Sequence, residues 1–190
     1  MKKVMFLVLA VIVLPVVFIA CSKSSSPSAP STVPAGDSPD TAIAVALGSS
    51  ITGLTFDGLC DQDWFKVSVT SGTSYVLRTF DLTNDDTDPD GTGDTDTFMY
   101  VFTPDGKNAL TTRDVADIEA NNIAYNDDCA SNCGSDPSGI HHLSTVNYTA
   151  DFTGTLYIVV IPYECQEDSY TELDNVTNPG YSFEAIEDVI

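Results

Sequence analysis

From residue 50 onward, apolar and polar side chains alternate along the chain with a period of two. "DWFKVSVT" (63–70) places Phe65, Val67 and Val69 on one side and Trp64, Lys66 and Ser68 on the other. "SYVLRTFDL" (74–82) sets Tyr75, Leu77 and Thr79 opposite Val76, Arg78 and Phe80. "TFMYVFT" (97–103), "STVNYTADF" (144–152), "TLYIVVIPY" (155–163) and "YSFEAI" (181–186) continue the series, and "SITGLTF" (50–56) follows it imperfectly. This period, with many β-branched and aromatic residues between short Gly-bearing turns, predicts an all-β, antiparallel β-sandwich. "FTGT" (152–155) and "TPDGK" (103–107) read as turns, with Gly supplying positive φ and Pro104 presetting the first position. Only "TTRDVADIEANNIA" (111–124) hints at a helical turn, and no internal repeat is present.

Two segments ahead of the strands have other patterns. "MKKVMFLVLAVIVLPVVFIAC" has a basic start, an apolar run from Val4 to Ile19, and a small residue before Cys21. That layout is a secretory signal, too short and too close to the terminus for a spanning helix. Its end, "FIAC", resembles the lipobox of bacterial lipoproteins. The resemblance implies cleavage after residue 20 and lipid on Cys21, and Ser22 resembles the members sorted to the outer membrane. Residues 21–40, rich in Ser and Pro, cannot bury enough surface to fold and read as a tether. Residues 41–188 remain as one domain, long enough for a real core.

Charge narrows the partners. The chain carries a formal charge of −21, and loss of Lys2 and Lys3 leaves five basic residues against 28 acidic ones. Such a surface repels nucleic acid and favours cations or basic partners. Beside Cys21, the cysteines are Cys60, Cys129, Cys133 and Cys165, an even number in an exported chain, which predicts two disulfides in one of three pairings. Cys129 and Cys133 would close a small local loop, leaving Cys60 with Cys165. A Cys₄ metal site has neither the spacing nor the clustering. Of the three long polar loops, 113–142 holds Cys129 and Cys133 and 163–180 holds Cys165, whereas 83–96 holds none.

That first loop holds acid instead. "DLTNDDTDPDGTGDTDTF" (81–98) contains seven aspartates and no Lys or Arg. "DTDPDG" (86–91) fits the first half of a calcium loop: Asp86, Asp88 and Asp90 would converge on one ion while Gly91 permits the sharp turn. Asp94 would ligate through water. Thr97 stands where an EF-hand has its bidentate Glu, so Asp96, or Asp127 and Asp128 from another loop, would complete the shell. Oxygen-only ligation suits Ca²⁺ rather than zinc. Asn126, Asp127 and Asp128 taken alone read as turn residues that cap backbone groups. Asp63 is expected to bond a neighbouring turn, and Trp64 to pack in or beside the core. His141 and His142 are adjacent, point to opposite faces on a strand, and read as loop residues.

Several motifs together resemble the bacterial pre-peptidase C-terminal (PPC) domain over about residues 37–187. They are Asp63-Trp64-Phe65, the Thr70–Tyr75 stretch that forms a hairpin in the family, Asp96-Thr97, Pro104-Asp105-Gly106, Asn126-Asp127-Asp128 and the Gly154–Val160 strand. The resemblance implies a jelly-roll-like sandwich that is not itself catalytic and usually accompanies secreted peptidases. Relatives of similar fold bind collagen, some with calcium. This chain departs in having no preceding peptidase and in its enlarged, cysteine-bearing loops.

No H-E-x-x-H or G-x-S-x-G occurs, and any catalytic triad or carboxylate pair would be an arbitrary choice from so many acids. The expectation is a non-enzymatic lipoprotein, anchored in the outer membrane by lipid. Its calcium-stabilised sandwich would bind or display extracellular protein, polysaccharide or a partner peptidase. The rival expectation is a purely structural envelope lipoprotein with a disordered acidic loop and no ligand.

Overall fold

Strand β3 (Asp63–Val69) buries side chains on both of its faces, and this decides the layering of the molecule. Phe65, Val67 and Val69 enter one apolar cluster, and Trp64 enters another. The computed structural model describes residues 36–56, 58, 60–80, 96–127, 143–166 and 180–188. Within them, the remaining strands are β1 (Ile43–Ala44), β2 (Ser49–Thr55), β4 (Ser74–Phe80), β5 (Thr97–Phe102), β6 (Ala124–Asn126), β7 (Thr145–Thr149), β8 (Gly154–Pro162) and β9 (Gly180–Glu187).

They form two facing sheets, ordered β1-β3-β8-β5-β6 and β2-β9-β4-β7. The antiparallel pairs β2–β9, β3–β8, β4–β7 and β5–β6 nest inside one another, as in a chain doubled back and then rolled up. This is the jelly-roll arrangement, and the expected all-β sandwich is what the chain forms. The main core lies between the sheets. Phe65 stacks on Phe183 there with centroids 4.3 Å apart, and Leu77, Met99, Val101, Ile158 and Ala185 pack around them.

The period-2 reading fails where both faces are covered. In β5 every residue is buried, Met99 and Val101 toward the main core and Phe98, Tyr100 and Phe102 toward the outer cluster. A strand covered on both sides reads as a continuous apolar run. The cover is α2 (Val115–Asn121), whose Ile118 is completely buried in the cluster that also holds Trp64 and Val159. Burying an isoleucine side chain contributes about 1.5–3 kcal/mol. Trp64 packs there 5.4 Å from Phe102, so it is a core residue and not an exposed platform.

Three local readings are corrected. "TPDGK" is not an open turn but the start of α1 (Pro104–Ala109), which has Pro at its first position and is capped by Thr103, whose hydroxyl accepts from Gly106 N–H at 3.1 Å. Gly106 has no positive φ; its role is close approach, because a Cβ there would stand 2.6 Å from the Asn121 carbonyl oxygen. Thr70–Thr73 is not a hairpin, since β3 and β4 belong to opposite sheets, and Gly72 (φ 86°) turns the chain from one to the other. Finally, 113–142 is not wholly loop: it contains α2 and β6. The imperfect alternation of "SITGLTF" marks a bulge between Ile51 and Leu54, with Gly53 at φ 73°.

Candidate functional site

One end of the sandwich gathers the segments that flank the acidic loops. Thr79 is the last residue but one of β4, Thr97 opens β5 and Ser144 precedes β7; none of the three is exposed to solvent. The Thr79 and Thr97 hydroxyls lie 2.9 Å apart, and those of Thr97 and Ser144 lie 3.0 Å apart. Ser144 N–H donates to Thr79 Oγ1 at 2.9 Å. Ser144 Oγ also stands within hydrogen-bonding distance of the Thr97 and Asp127 carbonyl oxygens. Buried hydroxyls bonded to one another in this way hold their strands in a single arrangement. The cluster therefore fixes the point where residues 81–95 leave β4 and enter β5, and where residues 128–142 leave β6 and enter β7.

Asp96 and Asp127, two of the expected calcium ligands, sit beside this cluster. Each has one carboxylate oxygen buried from solvent. Asp96 is further tied by its carbonyl, which accepts from Tyr163 N–H at 3.1 Å. Asn126 behaves as expected of a capping residue, its Oδ1 accepting from Thr145 N–H at 2.7 Å. The expected ligands Asp86, Asp88, Asp90, Asp94 and Asp128 lie outside the described residues, as do Cys21, Cys129, Cys133, His141 and His142. Among the described residues, no group of three or more acidic, His or Cys side chains is placed to hold a metal. Nor, among them, is any helix long and apolar enough to cross a membrane.

Cys60 and Cys165 are joined by a disulfide, with Cα atoms 5.0 Å apart. The bond ties the segment before β3 to the 3-10 turn (Tyr163–Gln166) after β8. Beside it opens a cavity of about 510 Å³, lined by the disulfide, Gln62, Arg113, Asp114, Glu119 and Ile161 among others.

The wall holding Arg113 is closely organised. Asp117 Oδ2 accepts from the backbone N–H groups of Thr111, Thr112 and Arg113 at 2.6, 2.8 and 2.9 Å. These bonds, that from Arg113 foremost, hold the Asp117 carboxyl below its ordinary pKa. Arg113 adopts φ 59°, which a non-glycine residue seldom takes. Its carbonyl accepts from Gln62 Nε2 at 2.7 Å, and Gln62 Oε1 accepts from Trp64 Nε1 at 3.1 Å. The loop is thus bonded through Gln62 to a completely buried tryptophan.

Asp63 also reaches beyond its own strand. Its Oδ2 accepts from the Tyr181 hydroxyl at 2.6 Å, across the two sheets. Burial first, and then the Asp63 charge, raises the Tyr181 hydroxyl well above its ordinary pKa.

Gln62, Arg113, Asp117 and Tyr125 were not singled out by pattern. The one signal for the last three is the "TTRDVADIEANNIAYN" stretch, where an Asp precedes a short helical period and an aromatic follows it, and nothing marks Gln62.

By sequence, no protein family and no curated protein matches the chain. Solved structures do resemble it in fold. The PPC domain of a Bacillus anthracis collagenase aligns at a TM-score of 0.40 and 16% identity, over 76% of this chain and 93% of that one. A periplasmic inhibitor of g-type lysozyme from Aeromonas hydrophila aligns at 0.42 and 11%, over 77% and 96%. A surface-associated copper-binding protein from Methylomicrobium album aligns at 0.38 and 9%, over 77% and 99%. The domain type that the sequence motifs resemble is thus among the structures similar to this chain.

Proposed function

We propose that the chain is a non-catalytic binding or display module of the bacterial cell envelope, lipid-anchored through Cys21, with a calcium ion ordering its acidic loop. The observation that carries this reading is the placement of Asp96 and Asp127 beside one buried hydroxyl cluster, Thr79–Thr97–Ser144. Two loops that are far apart in sequence begin and end there. The donors are oxygens, which suits a hard divalent cation. Asp86, Asp88, Asp90, Asp94 and Asp96 would hold the ion, with Asp127 and Asp128 as further donors. When bound, it would neutralise carboxylates that otherwise repel one another and stiffen the loops into one surface. Its ligand would be an extracellular protein, a polysaccharide or a separately encoded peptidase.

The test is a calcium titration of the purified protein. Millimolar Ca²⁺ is expected to raise the melting temperature and slow proteolysis within 81–98, and EDTA to reverse both. If neither property responds, the rival reading holds: a structural envelope lipoprotein whose acidic loop binds no metal.

A further inference from the structure

Tyr125 is 64% exposed, and its ring is backed by other rings. It lies 5.8 Å from Phe98 at an interplanar angle of 17°, and Phe98 lies 4.6 Å from Tyr100 at 21°. An isolated exposed tyrosine is ordinary. This one is held flat by a buried aromatic row and stands next to Ile123, itself 43% exposed. The row leads on to the cavity, because the Tyr100 hydroxyl donates to Glu119 Oε1 at 3.4 Å and Glu119 lines the cavity wall. Arg113 lines the same cavity, its backbone at φ 59° and bonded on both sides. A non-glycine residue seldom adopts this conformation, and such strain concentrates at ligand-holding positions.

We infer that this outer face of the five-stranded sheet binds an uncharged polysaccharide, one sugar stacking on Tyr125 and the next entering the cavity between Arg113 and Glu119. The inference deepens the binding-module reading and rests on it, but it uses a different surface and requires no calcium. Three features select this ligand. A pyranose has an apolar face of C–H groups that packs on a flat aromatic ring, and a rim of adjacent hydroxyls. Planar groups such as guanidinium, carboxylate and carboxamide each meet two such hydroxyls at once, and Arg113, Glu119, Asp114 and Gln62 supply all three types around one cavity. A volume of about 510 Å³ is in the range of small-ligand pockets, roughly 300–1,000 Å³.

Charge excludes the main alternatives. Arg113 shares the cavity with two carboxylates, and the chain as a whole carries −21, so uronic-acid and sulfated polymers are repelled. A protein partner would need a central apolar anchor patch, whereas among the described residues the large apolar groups exposed on this face are Tyr125 and Ile123.

The experiment measures retention of the full-length protein, in detergent, on cellulose, chitin, xylan, alginate and immobilised collagen. Each is assayed with Ca²⁺ and with EDTA. Retention is expected on at least one neutral polymer, in either buffer, and not on alginate. Tyr125→Ala is expected to weaken it about tenfold, and Tyr125→Phe to change it little. Arg113→Ala should weaken it further, and equal melting temperatures would show that the variants fold. The proposal is overturned if no neutral polymer retains the protein, if alginate or collagen alone does, or if Tyr125→Ala binds like the unaltered chain. Calcium-dependent protection of 81–98 without glycan retention would leave the calcium reading standing and remove this one.

Discussion

Tyr181 in β9 donates its hydroxyl hydrogen to Asp63 Oδ2 at 2.6 Å, joining the four-stranded sheet to the first residue of β3 in the sheet opposite. Both residues are buried, and the Tyr181 ring stacks on Phe56 with centroids 4.9 Å apart. Tyr181→Phe keeps the stacking and removes the donor, so it should cost about 1.5–3 kcal/mol in denaturant unfolding. Its pH dependence has a definite sign. The folded hydroxyl keeps its proton above the ordinary tyrosine value, whereas the unfolded chain releases it near pH 10. Above that pH the native state binds more protons, so stability falls as pH rises. Tyr181→Phe should flatten this alkaline decline, as chemical denaturation between pH 8 and pH 11 would show.

Asp117 has the opposite sign. Its carboxyl is held low by the Arg113 amide first and by those of Thr111 and Thr112. The stabilisation is complete above the ordinary carboxylate range and is lost as pH falls through the depressed value. Asp117→Asn should therefore remove part of the acid-side loss of stability. Hydrogen exchange at the Thr111, Thr112 and Arg113 amides should also quicken, because an amide oxygen is a weaker acceptor than a carboxylate.

The Cys60–Cys165 bond spans a sequence separation of 105 residues. Closing a loop of that length restricts the unfolded chain strongly, and breaking the bond should cost about 2–5 kcal/mol. The paired variant Cys60→Ala/Cys165→Ala should show this as a lower denaturation midpoint. Because both cysteines line the Arg113 cavity, it should also loosen that wall.

At Gly106, a methyl group would stand 2.6 Å from the carbonyl oxygen of Asn121, which is backbone and cannot turn aside. Gly106→Ala should therefore push α1 away from the end of α2, at a cost of about 1–3 kcal/mol. The same substitution at Gly58, where nothing lies within 4 Å, should cost much less.

For the acidic loop, Asp90→Asn and Asp96→Asn should each weaken the calcium-dependent rise in melting temperature, with Asp96→Asn acting also on the strand end it helps to order. Isothermal titration with Ca²⁺ measures both effects directly.

The alternation Phe65-Val67-Val69 and Tyr75-Leu77-Thr79 was enough to show two half-buried strands and so the sandwich. It was not enough for the outer layer. Phe98, Tyr100 and Phe102 interleave with Met99 and Val101 into one apolar run, which hides the fact that the odd and even positions serve different clusters. The helix that covers them is seven residues long, too short to establish a period, and its start depends on the Asp114 side chain accepting from Asp117 N–H. Asp63 illustrates a further limit. Its partner lies 118 residues away, and no local pattern points to it. At the loop end, the sequence draws the eye to the carboxylates of Asp96 and Asp127, whereas the Thr79–Thr97–Ser144 cluster beside them joins three ordinary residues near strand ends that no pattern marks.

The nesting of the strands also sets an order of events in the living cell. β9, drawn from residues 180–187, lies in the middle of its sheet and supplies both β2 and β4 with their hydrogen-bonding neighbour. A polypeptide is made amino end first, so β2 and β4 must wait for this strand to arrive. During that wait, β2 and β4 offer unsatisfied backbone edges to any passing strand.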